Sequence, residues 1–246
     1  DESKPTFHLE PFVFANYRLT SRWSADMLFS HALSPNAFSS YIEAPVFTNY
    51  YSLIQGKAQL NTTTTNMLSN TWKYNDVIRG LFGNLGLSYS RTSNLPLYES
   101  VFEDGFYKSR ASQHTSHNTS TSISGGIGKS IGWGKASIEL NASASNTKYQ
   151  LLIAKEVVDF TRRDLSTGIA IAYHPWEVFS IEHKSSYNTS ARKGKNHVLF
   201  NNRQSFLHHR LRLYFLPGKW QMELSNELFQ SQDKSISNSF FTDLSV

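Results

Sequence analysis

A stretch of about ten residues in which apolar and polar side chains alternate recurs at roughly every twentieth residue of this chain. The cleanest case sets Ala136, Ile138, Leu140, Ala142 and Ala144 against Ser137, Glu139, Asn141, Ser143 and Ser145. Period-2 alternation places the two sets on opposite faces of a β-strand. The pattern returns where Ile169, Ile171 and Tyr173 lead through Pro175-Trp176-Glu177 to Phe179, Ile181 and His183. It returns again where Leu211, Leu213 and Phe215 lead through Pro217-Gly218 to Trp220, Met222 and Leu224. Many strands with one apolar face each, joined by connections of two unlike lengths, constrain the chain to an antiparallel up-and-down sheet. Short turns at one end and long loops at the other are what a transmembrane β-barrel requires.

Composition agrees. Hydrophobic residues make up only 39% of the 246 and aromatics 14%. A soluble sandwich needs apolar residues for two inner faces, whereas a membrane barrel needs one apolar face per strand and tolerates a wet interior. No run of about 18 apolar residues exists, which excludes a helical span. The absence of Cys excludes disulfides and thiolate metal sites. The chain opens Asp1-Glu2-Ser3-Lys4 without a signal peptide, so it reads as a mature product or an excised fragment. The formal charge of +5 comes from scattered basic residues, so nucleic acid is not an expected partner. The densest group, Arg192, Lys193 and Lys195, reads as a solvated loop, with contact to anionic lipopolysaccharide as the minority reading.

Ten or eleven strands are expected. The first spans Phe7 to Leu19, the second begins at Trp23, the third covers Thr63 to Tyr74, and the fourth runs from Leu81 to Ser90. A Ser/Thr-rich fifth ends near Gly125-Gly126-Ile127-Gly128, read as a strand end beside a tight turn, and the last begins near Phe240. Turn centres fall near residues 21, 76, 131, 176 and 218, with the second turn assigned to Asn75-Asp76. Long loops are expected at Leu33–Gln59, Ser93–Ser112, Thr147–Arg163, Asn188–Asn202 and Ser231–Asn238. Trp23, Trp133, Trp176 and Trp220 sit in or beside the short turns, as a headgroup-level aromatic girdle would. An open sheet leaves two edges that hydrocarbon cannot satisfy, so the chain either closes as a small barrel or belongs to a larger wall. The strand pattern that begins at Phe240 and stops at Val246 favours the larger wall.

Several stretches resemble the C-terminal half of the barrel in TonB-dependent outer-membrane receptors, especially large receptors with a carboxypeptidase-regulatory-like domain ahead of the plug. They are Thr48-Asn49-Tyr50 with Gly56, Trp72-Lys73-Tyr74 through Asn75-Asp76 to Leu81-Phe82-Gly83-Asn84, and Leu87-Ser88-Tyr89-Ser90-Arg91. Gly128-Lys129-Ser130 and the terminal Phe241-Thr242-Asp243-Leu244-Ser245-Val246 complete the set. The resemblance implies that residues 1–246 form part of one transmembrane barrel domain, with plug and final strands elsewhere. It further implies uptake of a nutrient across the bacterial outer membrane and no enzymatic activity. The implied partners are outer-membrane lipid and lipopolysaccharide, the plug, the TonB complex acting through it, and a surface lipoprotein. A self-closed small barrel acting as a rim enzyme or adhesin is the runner-up, and a soluble β-protein such as a lectin the third reading.

Catalytic and metal sites are not expected. His114 and His117 are three apart, His208 and His209 adjacent, so neither pair shares a strand face. Asp104, Asp159, His114 and His197 are the rim candidates for an outer-membrane hydrolase, but nothing local in sequence joins them. Asn118-Thr119-Ser120 and Asn188-Thr189-Ser190 match a glycosylation acceptor that has no meaning in a bacterial outer membrane. No cofactor motif is present. The ligand-binding candidates are aromatics of the first two long loops: Tyr41, Tyr50, Tyr51, Tyr98, Phe102 and Tyr107. Rigid rings of this kind stack on sugar or peptide faces at modest entropy cost.

Overall fold

A computed structural model describes residues 9–35, 42–56, 62–132, 135–195, 197–231 and 238–245. The fold is all-β. The strands are β1 (Phe12–Arg18), β2 (Trp23–Pro35), β3 (Val46–Asn49), β4 (Ser52–Gln55), β5 (Thr62–Asp76), β6 (Leu81–Glu103) and β7 (Phe106–Ile131). They continue as β8 (Ala136–Ile153), β9 (Glu156–Trp176), β10 (Phe179–Gly194), β11 (His197–Phe215), β12 (Met222–Ser231) and β13 (Ser239–Ser245). All thirteen form one sheet. Its main path, β1-β2-β5-β6-β7-β8-β9-β10-β11-β12-β13, is up-and-down and antiparallel, with β3 and β4 attached to one side. The sheet is not closed: among the described residues, β1 pairs only with β2 and β13 only with β12.

Registers carry the sequence alternation across the whole sheet. One row runs Gly83, Ile127, Leu140, Ile169, Ser185, His209 and Leu228. The row beside it on the opposite face runs Asn84, Gly126, Asn141, Gly168, Ser186 and His208. Apolar side chains therefore predominate in the first row, broken by Ser185 and His209, and polar or small ones fill the second, because a slip of one residue would invert a strand's entire pattern. On the apolar face the band spans nine residues of β8 and β9, from Ala136 to Ala144 and from Tyr173 to Leu165. Among the described residues nothing covers this face. Leu140 is 49% exposed, Ile127 56% and Met27 47%. The accessible surface, 17457 Å², exceeds the roughly 11,000 Å² expected of a compact protein of this mass.

The opposite face pairs its charges across strands. Lys73 Nζ lies 2.6 Å from Asp26, Arg212 Nε 3.6 Å from Glu223, and Glu227 meets both Arg210 and His208. Asn226, Asn70 and the stacked pair His183–His209 (6.0 Å) interrupt the apolar face.

The short connections are 19–22, 77–80, 132–135, 177–178 and 216–221, all at one end. The second replaces the expected Asn75-Asp76 turn. Asp76 is the last residue of β5, and its buried carboxylate accepts the Arg79 backbone N–H at 3.1 Å and pairs with Arg22 of the neighbouring turn at 3.2 Å. Gly80 closes this turn with φ +60°, and a Cβ there would meet the Ser130 carbonyl oxygen at 2.4 Å. Trp23, Trp176 and Trp220 lie at this end, exposed; Trp133 lies outside the described residues. Gly128 lies near the turn end of β7, in the second pair of the β6–β7 ladder, and the ring of its cross-strand neighbour Phe82 lies 2.2 Å from where its Cβ would be. An aromatic ring covering a glycine restores the contact that the missing side chain forfeits.

The expected long loops are where sequence and structure part. Ser93–Ser112, Thr147–Arg163 and Asn188–Asn202 are mostly strand, with breaks at Asp104-Gly105, at Ala154-Lys155 and between Gly194 and His197. The first strand is shorter than Phe7–Leu19, covering Phe12–Arg18, with residues 1–8 outside the description. Residues 232–237 and Val246 are also outside it. Arg192 and Lys193 belong to β10, not to a solvated loop, and point to opposite faces.

Candidate functional site

Beyond the wall, β6 and β7 continue as a projecting hairpin. Its ladder is broken twice, at Ser93/Leu95 and Pro96/Tyr98. Asn94 there takes φ 62°, a conformation asparagine tolerates, and Pro96 has no N–H to donate to the ladder. Such bulges bend a strand and re-aim its side chains. The hairpin closes on Asp104-Gly105, both at positive φ, the backbone that a two-residue turn demands.

A second hairpin docks on it. β3 and β4 are joined by Tyr50-Tyr51, with Asn49 Oδ1 accepting the Tyr51 N–H at 2.9 Å. β4 then pairs with β7 in parallel, Ser52 opposite Tyr107 through Gln55 opposite Arg110. The Tyr107 N–H donates to the Tyr51 carbonyl at 2.8 Å. Two segments far apart in sequence thus share one tip.

Four of the six sequence candidates meet there. Phe102 and Tyr107 are cross-strand partners with ring centroids 4.9 Å apart, and Tyr50 and Tyr51 stand beside them on the docked hairpin. Tyr50 is 92% exposed, and Tyr51, Phe102 and Tyr107 are all open to solvent. Tyr98 is not part of the tip. It pairs with Ala111 lower on the hairpin and lines a hollow of about 900 Å³ between β6–β7 and β8–β9. Tyr41 lies outside the described residues.

Sequence reasoning missed the groups that hold this tip. Phe47 packs edge-on against Phe106 at 5.8 Å, locking the two hairpins together. Lys108 lies 2.7 Å from Asp104 and 3.3 Å from Glu103, and Arg110 lies 3.4 Å from Glu103. The Asp104 hydrogen bond, reinforced by Glu103, holds the Lys108 ammonium above its ordinary pKa. The signal was available: Glu103-Asp104-Gly105 followed by Lys108 is a turn with opposite charges on its two arms.

The hydrolase candidates are not brought together. Asp104 is engaged by Lys108 at the tip, and Asp159 accepts a hydrogen bond from Gln150 at 2.8 Å on a different hairpin. The His114 backbone N–H donates to Ser112 Oγ, and the His197 side chain lies outside the description. His208 has a cross-strand carboxylate, Glu227 at 3.5 Å, that its sequence neighbourhood did not reveal. Among the described residues no three His, Asp or Glu side chains gather in a way that could hold a metal ion. What the tip offers is exposed ring faces beside a charged rim, a surface suited to stacking and hydrogen bonding. No family model matches the chain, and no curated protein matches it.

Proposed function

We propose that this chain is wall and mouth of an outer-membrane β-barrel, part of a TonB-dependent receptor that takes up a nutrient. One observation carries the membrane reading: an eleven-strand path with one predominantly apolar face that, among the described residues, no other layer covers. A sheet face of this kind must be buried against something. A band of nine residues at about 3.3 Å each, tilted about 40°, is close to 20 Å tall, near the roughly 25 Å apolar belt of outer-membrane barrels. The free edges of β1 and β13 require further strands, which supports a larger wall over a self-closed barrel. The receptor assignment rests on the resemblance of the strand-level motifs and on the aromatic tip at the end opposite the short turns. The tip supplies stacking surface for a glycan or peptide, and the paired charges of the inner face stand towards the lumen and its plug.

Excising residues 99–110 from the full-length protein tests this reading. Growth on the cognate nutrient is expected to stop while the barrel still assembles in the outer membrane. Normal uptake without the tip overturns its role in capture. Sedimentation of the full-length protein with the soluble fraction overturns the membrane reading itself.

A further inference from the structure

The apolar face changes character above its band. Ascending from Ala144 and Leu165, the next row reads Thr121, Asn146, Arg163, Ala191 and Arg203. The row above reads Thr119, Lys148, Thr161 and Lys193. In each, two cations flank one small residue: Ala191 between Arg163 and Arg203, Thr161 between Lys148 and Lys193. Adjacent strands are about 4.8 Å apart, so each pair of cations stands roughly 10 Å apart over a low floor. The relief is concave. A hollow of about 860 Å³ is lined by Ile123, Ala144, Asn146, Arg163, Leu165 and Arg203. A second, of about 540 Å³, shares Arg163 and Lys193 and adds Lys148 and Lys195.

Asp159 also lines the second hollow and Asp164 the first, but the four cations are not paired with either. Lys148, Arg163, Lys193 and Arg203 are all exposed, and among the described residues none is in an ion pair. The nearby carboxylate on this face, Asp159, already serves Lys195 and Gln150. Asp164 points to the other face and is taken by Arg162 at 2.9 Å. On that other face the pattern reverses, with Arg210, Arg212 and Lys73 each matched to a carboxylate. Four like charges on two neighbouring rows repel one another unless an anion lies among them. Just below them the surface is aliphatic.

We propose that this outward patch binds a phosphorylated glycolipid of the extracellular leaflet, its phosphates among Arg163, Arg203, Lys148 and Lys193 and its acyl chains on the apolar band below. The inference rests on the membrane reading given above. Asn146, Thr121 and Thr161 supply hydrogen bonds to sugar hydroxyls, and the guanidinium groups present forked donors to phosphate. Lipid, rather than a soluble anion, is the occupant because charge and aliphatic surface are contiguous on one face.

The test uses the full-length protein in nanodiscs and three probes: a bis-phosphorylated glycolipid, the same lipid with its phosphates removed, and inorganic phosphate. The protein is expected to retain the phosphorylated lipid through detergent exchange, and the triple variant R163Q/K193Q/R203Q to retain it at least about tenfold less. Removing the lipid's phosphates is expected to have a similar effect. Equal retention by the triple variant, or equal retention of the dephosphorylated lipid, overturns the proposal. So does competition by millimolar inorganic phosphate as effective as the lipid itself, which marks a soluble-anion site. Failure of the protein to enter nanodiscs at all overturns the membrane reading instead, and the two failures are distinguishable. R163K/R203K keeps the charge and is expected to retain most binding, which separates an anion site from a folding defect.

Discussion

Leu140 stands at the middle of the apolar band on β8, between Ile127 and Ile169, and is 49% exposed. About half of its side chain is therefore packed against neighbours, contributing about 1 kcal/mol of the 1.5–3 that full burial of a leucine gives. Leu140→Ala should lose about that much if this face meets water, and closer to the full value if it meets hydrocarbon, where the exposed half is also removed from water. Leu140→Arg separates the solvents. In water the arginine stem re-covers part of the vacated surface and the head stays hydrated, so its cost should not exceed that of alanine. In hydrocarbon the charge near midplane adds about 2–4 kcal/mol. Ser143→Arg is the control, because Ser143 lies on the opposite face between Ser124 and Ser166 and should cost less than about 1 kcal/mol. Equilibrium urea unfolding of the full-length protein in lipid vesicles, followed by tryptophan fluorescence, measures all three. If Leu140→Arg falls within about 0.5 kcal/mol of Leu140→Ala, or Ser143→Arg costs as much as Leu140→Arg, lipid does not meet this face.

Asp76 gives a pH prediction. The Arg79 backbone N–H, then the Arg22 and Arg79 guanidinium groups, hold its carboxyl below the usual carboxylate range. A depressed folded-state value contributes stability above the unfolded carboxylate pKa that is lost as pH falls through the folded one. Hydrogen exchange at residues 75–80 should accelerate below the ordinary carboxylate range, and Asp76→Asn should show the fast exchange already at neutral pH. Phe102→Ala should remove about 0.5–1.5 kcal/mol of ring pairing and loosen the tip without changing barrel assembly, as limited proteolysis near Asp104-Gly105 would report. Residues 1–246 expressed alone should aggregate in detergent through the free edges of β1 and β13, and monomeric, heat-modifiable migration would instead favour a self-closed barrel.

What the sequence made legible follows from where the two faces of a strand differ in polarity. Between Ala136 and Ser145 the two faces of β8 differ in side-chain character, and the alternation predicted the strand and which residues share a face. Farther along, Glu99, Ser100, Glu103, Lys108 and Ser109 belong to strands that carry polar residues on both sides, so no period survives and the segment read as loop. Hydrogen bonding to a neighbour makes these residues strands, and a single sequence does not display its partners. The same blindness hid the Glu227 carboxylate from His208 and the docking of β4 on β7. Asp76 misled differently, since an acceptor that caps a turn stands just before it. The aromatic candidates were found because exposed rings in polar stretches are conspicuous, and four of them share a site only through a pairing that composition does not encode.

The parallel contact of β4 with β7 also has a history in time. On the main path every pairing except β2–β5, which spans the β3–β4 segment, joins consecutive strands, whereas the off-path Ser52 must wait for Tyr107, roughly fifty residues later, at about 2 kcal/mol more loop-closure entropy than a tight hairpin. The wall can therefore zip from turn to turn before its mouth exists, and the tip assembles last. A sheet complete in its main ladder but with β3–β4 undocked is a defined intermediate, unable to present its paired aromatic surface. Maturation of such a protein ends at the rim.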